Sequence, residues 1–187
     1  TKHVAICCAP SVRATIGECF GYEPGTDVEG KMVAALKKLG FDGVYDMNFT
    51  ADLTIMEEAT EFLGRVKNGG VLPMITSCSP GWVKYCEHYF PEMTENLSTC
   101  KSPQQMFGAM YKTYFAEKLG LNPEDIVFVS AIPCTAKKFE VGRDGQDVNG
   151  MPGVDIAVTT RELGRMIEMA GIDFKALADE KFDQPID

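Results

Sequence analysis

The sequence predicts an α/β fold in which helices cover both faces of a mainly parallel sheet. Short apolar runs alternate with longer segments of helical periodicity along the 187 residues, and this alternation is typical of repeated β-α-β units. The apolar runs are nearly continuous, as expected for strands that are covered on both faces. The length suits one domain, or one lobe of a larger domain, with a sizeable core.

The first half of the chain contains three predicted strands and two predicted helices. The strands are expected at residues 3–9, 43–47 and 71–77. A capping box at residues 26–29 is expected to begin the first helix and Gly40 to end it. The inward stripe of this helix is predicted to be Val28, Met32, Ala35, Leu36 and Leu39. The second helix is predicted over 50–67, with a core-facing stripe of Ile55, Met56, Ala59, Phe62, Leu63 and Val66.

In the second half, helices are predicted over 80–90 and from residue 103 to Gly120. Ser79 and Ser102 are good N-caps for them, and each is followed by a proline, which suits the first helical position. Strands are expected at 126–131 and 154–158, with a polar, glycine-rich loop at 141–153. A last helix is predicted to begin at Thr159 or Thr160 and to end near Gly171. Residues 174–187 are expected to form a loosely ordered, truncated end.

The composition disfavours several classes of protein. A net charge of −9 disfavours nucleic acid or an anionic membrane as a partner, because both select positive patches. The sequence shows no signal pattern and no apolar run long enough to span a bilayer. After the first strand there is neither a G-x-G-x-x-G motif nor a P-loop, which argues against a generic nucleotide-binding domain.

The seven cysteines indicate a reducing, cytoplasmic setting. Their number is odd, and they cluster at predicted strand ends rather than across loops. No C-x-x-C pair is present, so the spacing excludes a self-contained zinc or ferredoxin-type site. Buried core thiols are expected at Cys7, Cys8, Cys86 and Cys100.

The carboxyl ends of three predicted strands carry Ala9 and Pro10, Cys78, and Cys134. In parallel α/β sheets such ends meet at one edge, where binding sites form. Cys78 also precedes a helix N-terminus, and the positive end of the helix dipole favours a reactive thiolate. Each cysteine alone is more typical of an inert thiol. Their shared placement favours one common site.

Two motifs at these positions resemble the catalytic domain of the iron-only (di-iron) hydrogenases. The family motif Thr-Ser-Cys-Cys-Pro-x-Trp is matched by residues 76–82, Thr-Ser-Cys-Ser-Pro-Gly-Trp, and Met-Pro-Cys-x-x-Lys-x-x-Glu by residues 132–140, Ile-Pro-Cys-Thr-Ala-Lys-Lys-Phe-Glu. The likeness extends through 9–13, 56–61 and 97–105, and so covers essentially the whole chain. It implies that residues 1–187 form the N-terminal lobe of a two-lobed catalytic domain that reversibly reduces protons to H2.

In this family a 4Fe-4S cube is linked through a cysteine to a di-iron unit that carries CO, cyanide and a bridging dithiolate amine. The resemblance implies that Cys78 passes protons to the amine. It implies that Glu58, Ser98 and Glu61 relay these protons to solvent, and that Lys137 hydrogen-bonds a cyanide. The pocket wall around the di-iron unit is matched by Ala9, Pro10, Ser11, Pro103, Gln104 and Ile132.

The residues themselves are compatible with these roles and with simpler ones. Glu58 and Glu61 lie three positions apart and are neighbours on a helix. If they are buried, their pKa values should be raised, as a proton relay needs. Otherwise they are solvated surface acids. Lys137 places a positive charge near Cys134, where it would stabilise an anionic ligand, or it is an ordinary helix lysine.

The ligand set of the cube departs from the family pattern. Cys134 matches one ligand, but Ser79 stands where the family has a second cysteine, and a hydroxyl is a poor ligand for iron compared with a thiolate. In the simpler interpretation Ser79 is an N-cap and no ligand. The possibility that Cys78 takes the ligand role instead stays open. Ile132 replaces a methionine and conserves volume. Glu140 matches the closing glutamate of its motif.

The resemblance also implies parts that this sequence does not contain. The family's Cys-x-x-x-Cys stretch, with the remaining cube ligands, is expected beyond residue 187. The chain alone should therefore carry no complete cluster and be inactive without the remainder of the catalytic domain or a partner subunit. A ferredoxin or an NADH-linked carrier is the expected electron partner. The alternative is a non-catalytic iron–sulfur sensor or assembly scaffold, which Ser79 favours and Glu58, Glu61 and Lys137 disfavour.

Overall fold

A computed structural model describes residues 2–186. The strands are β1 (His3–Cys8), β2 (Gly43–Asp46), β3 (Ile126–Ala131), β4 (Asp147–Val148), β5 (Met151–Pro152) and β6 (Ile156–Val158). The α-helices are α1 (Pro10–Arg13), α2 (Glu29–Leu39), α3 (Asn48–Asn68), α4 (Pro80–Tyr89), α5 (Pro103–Met110), α6 (Ala116–Leu119), α7 (Ala136–Val141) and α8 (Thr160–Met169). A π-helical turn, Tyr111–Phe115, joins α5 to α6.

Four strands form one parallel sheet in the order β2-β1-β3-β6. The central strand β1 is fully buried at Ala5, Ile6, Cys7 and Cys8 because it has a strand on each side and helices above and below. The predicted α/β class with a mainly parallel sheet is confirmed. Removal from water raises the pKa of the Cys7 thiol to about 12, so Cys7 is the inert core thiol that the sequence predicted.

The helix α2 follows its predicted pattern except at its first turn. Its inward residues Met32, Ala35 and Leu36 are fully buried, and Gly40 ends it in the left-handed region at φ 97°. The predicted capping box at residues 26–29 does not form. Instead the Asp27 carboxylate accepts a 2.9 Å hydrogen bond from the backbone N–H of Glu29, because a short aspartate reaches that donor directly.

The core-facing stripe predicted for α3 is wrong. Ala59 is exposed, and the exposed fractions are 67% for Ile55, 68% for Met56, 44% for Phe62, 53% for Leu63 and 51% for Val66. The buried side of the helix carries Thr50 and Thr54. The Thr50 hydroxyl donates to the carbonyl of Pro103 at 2.9 Å. Polar side chains can face inward here because the neighbouring chain offers them hydrogen-bond partners.

The strand predicted at 71–77 does not form in the described part of the chain. This segment makes one isolated parallel bridge, between Ile75 and Leu97, and joins no sheet. Pro73 has no N–H to donate to a ladder, and Val71 and Leu72 are exposed. Cys78 therefore follows an irregular segment, whereas Ala9 and Cys134 follow true strands.

The polar segment at 141–153 contains more structure than the loop that was predicted. The helix α7 ends at the first residue of this segment, Val141, and the strands β4 and β5 pair antiparallel within the segment. The last helix, α8, begins as predicted: the Thr159 side chain and Glu162 form a reciprocal capping box.

Residues after α8 have no long helix or strand, but several of them, up to Ile186, pack against the core. Phe174 is buried, and the N–H of Glu180 donates to the carbonyl of Gly30 at 3.0 Å. The carboxylate of Asp183 accepts from the N–H of Val44 at 2.8 Å, so this segment partly covers the open edge of β2. Asp187 lies outside the described residues.

Candidate active site

The two cysteine motifs meet through one lysine. Cys134 lies in the short turn between β3 and α7, and Lys137 is in the first turn of α7. The Lys137 ammonium donates a 2.6 Å hydrogen bond to the backbone carbonyl of Cys78, which precedes α4. Cys78 and Cys134 are both exposed free thiols. The structure therefore brings Lys137 and the Cys78 motif to one edge, although Cys78 does not end a strand.

Glu140 is the centre of a buried polar cluster, the Glu140 cluster, made of Ser102, Gln104, Lys137 and Glu140. Its carboxylate accepts from the Ser102 hydroxyl at 2.8 Å and from the Gln104 amide at 2.6 Å. The Lys137 ammonium forms an ion pair with it at 3.1 Å, and both side chains are less than a tenth exposed. The Ser102 hydroxyl is bonded to Glu140, so the side-chain N-cap that was predicted for α5 does not form.

A second group, the Glu61 cluster, consists of Glu61, Arg65, Ser98, Thr99 and Cys100. Glu61 receives the Arg65 guanidinium at 2.6 Å and the Ser98 hydroxyl at 2.8 Å. The backbone N–H of Thr99 donates to the same carboxylate at 3.0 Å. The cluster joins α3 to the segment that follows Leu97, and it orients one carboxylate with donors from both.

These donors set the protonation of Glu61. Burial pushes its pKa upward, but the hydrogen bonds from Ser98, Arg65 and Thr99, with the Arg65 charge, outweigh burial and lower the pKa below its ordinary value of 4.5. The sequence predicted a raised pKa for Glu61 if the residue were buried; Glu61 is only half-buried, and its pKa is lowered. A carboxylate loses a proton more easily when its charged form is well hydrogen-bonded, and Glu61 is held ionised.

Two members of the Glu61 cluster were not predicted from the sequence. Arg65 lies four residues after Glu61, a helical spacing that could have indicated the ion pair. The Cys100 thiol lies 3.6 Å from a Glu61 oxygen. Burial and the nearby Glu61 raise the pKa of Cys100, so it stays a neutral donor. Nothing in the local sequence around Cys100 indicated this contact.

The structure joins only part of the predicted relay directly. Ser98 and Glu61 are in contact, as described above. Glu58 is half-buried on α3, and among residues 2–186 no hydrogen bond connects it to Cys78 or to Ser98. A cavity of about 280 Å³ lies beside both clusters. Its lining includes Ser98, Cys100, Ser102, Glu140 and Pro80, the residue two after Cys78.

The predicted pocket wall lies at the carboxyl ends of the central strands. Ala9 follows β1 and is buried, whereas Pro10 and Ser11, at the start of α1, are exposed. Pro103 and Ile132 are half-buried, and Gln104 is fully buried. The buried carbonyl oxygen of the Gln104 side chain has no hydrogen-bond partner among the described residues. The pocket wall therefore contains one hydrogen-bond acceptor that is not satisfied within residues 2–186.

The residues present fit one side of a cluster site and not a whole one. Within residues 2–186, no three side chains of histidine, cysteine, aspartate or glutamate are grouped so that they could hold a metal ion. Ser79 accepts a long, 3.4 Å hydrogen bond from the N–H of Trp82 and serves as the N-cap of α4. Cys78 and Cys134 are exposed thiols, and thiolates are the type of ligand that iron–sulfur clusters require.

This parallel α/β unit carries exposed thiols and two ionic clusters, one buried and one half-buried, near one edge. The chain belongs to the iron-only hydrogenase family: the model of the iron only hydrogenase large subunit, C-terminal domain, matches residues 2–187. No helix of residues 2–186 is long and apolar enough to cross a membrane.

Curated relatives agree with this family. The chain is 54% identical to the NADP-reducing hydrogenase subunit HndD of Solidesulfovibrio fructosivorans, over 99% of this chain and 33% of that protein. It is 51% identical to iron hydrogenase 1 of Clostridium pasteurianum, over 97% of this chain and 32% of that protein. A more distant relative, cytosolic iron-sulfur assembly component 3 of Bos taurus, is 31% identical over 97% of this chain and 40% of that protein. The chain thus spans about a third of the length of the two hydrogenases.

A solved structure shows the same fold. An FeFe-hydrogenase studied for stepwise assembly of its H-cluster superposes with a TM-score of 0.93 at 43% identity, covering 98% of this chain and 46% of that one. The predicted family and fold are confirmed by these matches. The roles of the individual site residues stay predictions.

Proposed function

We propose that this chain forms one wall of the active site of an iron-only hydrogenase that interconverts protons and H2. The observation that carries the proposal is the hydrogen bond from Lys137 to Cys78, which draws the two cysteine motifs of the family together. The Glu61 cluster, reached through the adjacent cavity, supports it. Other parts of the longer protein would supply the rest of the site.

In the proposed site, Cys134 would hold the cube, and the bound iron–sulfur and di-iron group would supply the redox chemistry. Pro10, Pro103 and Ile132 would exclude water from it. Lys137 would present positive charge toward an anionic ligand, because Glu140 fixes its ammonium from behind. Ser79 would remain the N-cap of α4 and leave one ligand position of the family unfilled.

The chain's own residues would move protons between this edge and solvent. The Ser98 hydroxyl already donates to Glu61, so it can pass its proton to the carboxylate while it takes another from the inner side. Arg65 keeps Glu61 ionised and ready to accept. Glu58 and Cys78 would complete the path inward, with water in the cavity bridging gaps that the side chains do not close.

Hydrogen evolution by the full-length, cluster-loaded protein tests this proposal. Cys78→Ala and Glu61→Gln should each lower the rate by roughly a hundredfold or more, the usual loss when a positioned proton donor or acceptor is removed. Iron content should not change. Glu57→Gln, the same chemical change at an exposed position of α3, is the matched control. Activity in either site variant close to that of the control would refute the relay.

A non-catalytic iron–sulfur sensor or assembly scaffold is the second candidate. Ser79 at a ligand position favours it, because it weakens iron binding, and one relative carries the name of an assembly component. The two candidates differ in one measurement. A protein that binds its full iron content but neither evolves nor oxidises H2 would support the scaffold. A ferredoxin or NADH-linked partner and a cytoplasmic location remain proposals under either candidate.

A further inference from the structure

Two residues of the proposed pocket wall, Pro10 and Ser11, stand on a helix of a single turn. This helix, α1, has only four residues and follows β1 directly. A single turn contains very few helical hydrogen bonds and is not stable by itself in water. The Val12 side chain is fully buried and holds the turn on one side. Pro10 and Ser11 are exposed, so contacts made by other residues must fix where this part of the wall lies.

Arg13, the last residue of α1, makes such contacts with two neighbouring elements. One terminal nitrogen of its guanidinium donates to the Glu29 carboxylate at the start of α2, and the other donates to the Asp46 carboxylate at 2.7 Å. The backbone carbonyl of Arg13 also accepts from the N–H of Val28 at 3.0 Å. The Arg13 side chain is only 17% exposed, so salt and water screen these ion pairs less than pairs on an open surface.

Asp46 extends this network to the helix that carries the proposed relay. It is the last residue of β2, and its Oδ2 atom accepts from Arg13. Its Oδ1 atom accepts a 3.0 Å hydrogen bond from the backbone N–H of Asn48, the first residue of α3. Glu58 and Glu61 belong to the same helix. One carboxylate therefore connects the end of α1 to the start of α3.

The Arg13 guanidinium is also covered by Phe182, which lies in the segment after α8. The centre of the Phe182 ring is 5.5 Å from the guanidinium carbon, a distance at which a cation is attracted to an aromatic face. This segment is itself tied to β2, because the N–H of Asp183 donates to the carbonyl of Val44 at 2.8 Å. A planar guanidinium can bind two carboxylates and stack on a ring at once, which a lysine ammonium cannot do.

We propose that Arg13 is a positioning residue for the active site and fixes the wall at Pro10 and Ser11 relative to α3. The proposal rests on the proposed function, since it assumes that this wall lies against the bound di-iron group. Arg13 would not touch that group, because Glu29 and Asp46 occupy its guanidinium. Without the cation these two carboxylates would lose the charge that they share, and the turn would lose its side-chain link to both neighbours.

The rival explanation is that Arg13 only stabilises the fold as a whole. The two explanations differ in where the protein loosens: a positioning role predicts local opening of α1, and a general role predicts equal loosening of all elements. Hydrogen exchange in the full-length protein, resolved by peptide mass spectrometry, separates them and needs no bound cofactor. The N–H groups of Val12, Ala14 and Thr15 report on α1, since each donates to a backbone carbonyl at 2.9, 3.3 and 3.1 Å, respectively.

Two variants of Arg13 are compared with two controls. In Arg13→Gln the N–H groups of α1 should exchange roughly tenfold faster or more, while β3 and α8 should be unchanged. Arg13→Lys keeps the charge but not the fork, so its effect should be smaller, and it serves if Arg13→Gln folds poorly. Arg165→Gln makes the same chemical change at an exposed position of α8. Lys37→Gln removes an ion pair between α2 and Asp183 of the terminal segment. Both controls should leave α1 unchanged.

Infrared bands of bound CO and cyanide give a second readout in the cluster-loaded protein. Both Arg13 variants should shift or broaden these bands, because the wall is no longer held in one position, and the controls should not. Exchange of α1 that stays unchanged, or that rises equally in all elements, would overturn the proposal. So would unchanged bands in an Arg13 variant whose α1 exchanges faster. If the unmodified protein shows no such bands, the proposed function fails, and exchange still decides whether Arg13 anchors α1.

Discussion

The Lys137 ammonium lies 2.6 Å from the backbone carbonyl oxygen of Cys78, across 59 residues of sequence. The same ammonium is paired with Glu140, and both side chains are buried. Lys137 thus links the start of α4 to α7. It acts together with the ion pair between Glu87 of α4 and Arg143, just after α7, and with the contact of Lys84 on the Phe139 ring, which also hold α4 beside α7.

The first prediction concerns this buried ion pair. Lys137→Met should lower the free energy of unfolding by about 3–5 kcal/mol, because it leaves the Glu140 carboxylate buried without its counter-charge. The double variant Lys137→Met with Glu140→Gln should recover part of the loss, since no unpaired charge remains. Urea unfolding of the four proteins measures the coupling. A double variant that is destabilised by the sum of the two single changes would show that the pair is not coupled.

The second prediction concerns the pH dependence that Glu61 contributes. Its folded-state pKa lies below the ordinary 4.5, so its stabilisation is fully present above that value and is lost as pH falls through the folded-state pKa. Glu61→Gln should therefore be less stable than the unmodified protein at neutral pH, and the difference should shrink on acidification below about pH 4.5.

Unfolding curves recorded between neutral and acidic pH check the Glu61 prediction. Glu57→Gln is the matched control, because Glu57 is exposed on the same helix. A difference between Glu61→Gln and the unmodified protein that stays constant across this range would contradict the lowered pKa.

The third prediction compares two helical glycines. A Cβ on Gly108 of α5 would lie 2.4 Å from the carbonyl oxygen of Gly153, a backbone atom that cannot move aside cheaply. Gly108→Ala should therefore cost about 1–3 kcal/mol of stability. Gly64 of α3 has nothing within 4 Å of the same position, so Gly64→Ala should stabilise the protein by roughly 0.5–1 kcal/mol. Thermal unfolding that gives the two changes the same sign would contradict this packing.

The fourth prediction concerns thiol reactivity in the native chain. Cys78 and Cys134 are exposed, whereas Cys7 and Cys8 are fully buried with raised pKa values caused mainly by loss of water. A thiol reagent should modify Cys78 and Cys134 in the folded protein and reach Cys7 and Cys8 only after unfolding. Site-resolved mass spectrometry measures this order. Modification of Cys7 at the rate of Cys134 would mean that the central strand opens readily.

Elements with local signals were predictable to within a few residues. The strands β1 and β3 are continuous apolar runs, and α8 begins at a threonine and glutamate that cap each other. The strand expected before Cys78 was also an apolar run, yet no neighbouring strand pairs with it beyond Ile75. An apolar run predicts that a segment is buried, but it does not identify the strand or helix that the segment packs against.

The candidate site was predictable only in part, for the same reason. The resemblance named Cys78, Glu61, Ser98 and Lys137. Two of the three donors that lower the Glu61 pKa, Ser98 and Thr99, come from a segment more than thirty residues away. Burial alone suggested a raised pKa. Whether the Glu61 pKa is raised or lowered depended on which hydrogen bonds formed. No local sequence pattern around Cys100 predicted its contact with Glu61.

By itself the sequence determined the fold class, most of the helices and strands, and the family, because these follow from local periodicity and from motifs of adjacent residues. The tertiary structure alone decided which way α3 faces. Helical spacing places its apolar residues on one side, but only the partners of Thr50, Thr54 and Glu61 turn that side outward. The meeting of Lys137 with Cys78 was decided in the same way, because a contact across 59 residues forms only when the whole sheet has brought α7 beside α4.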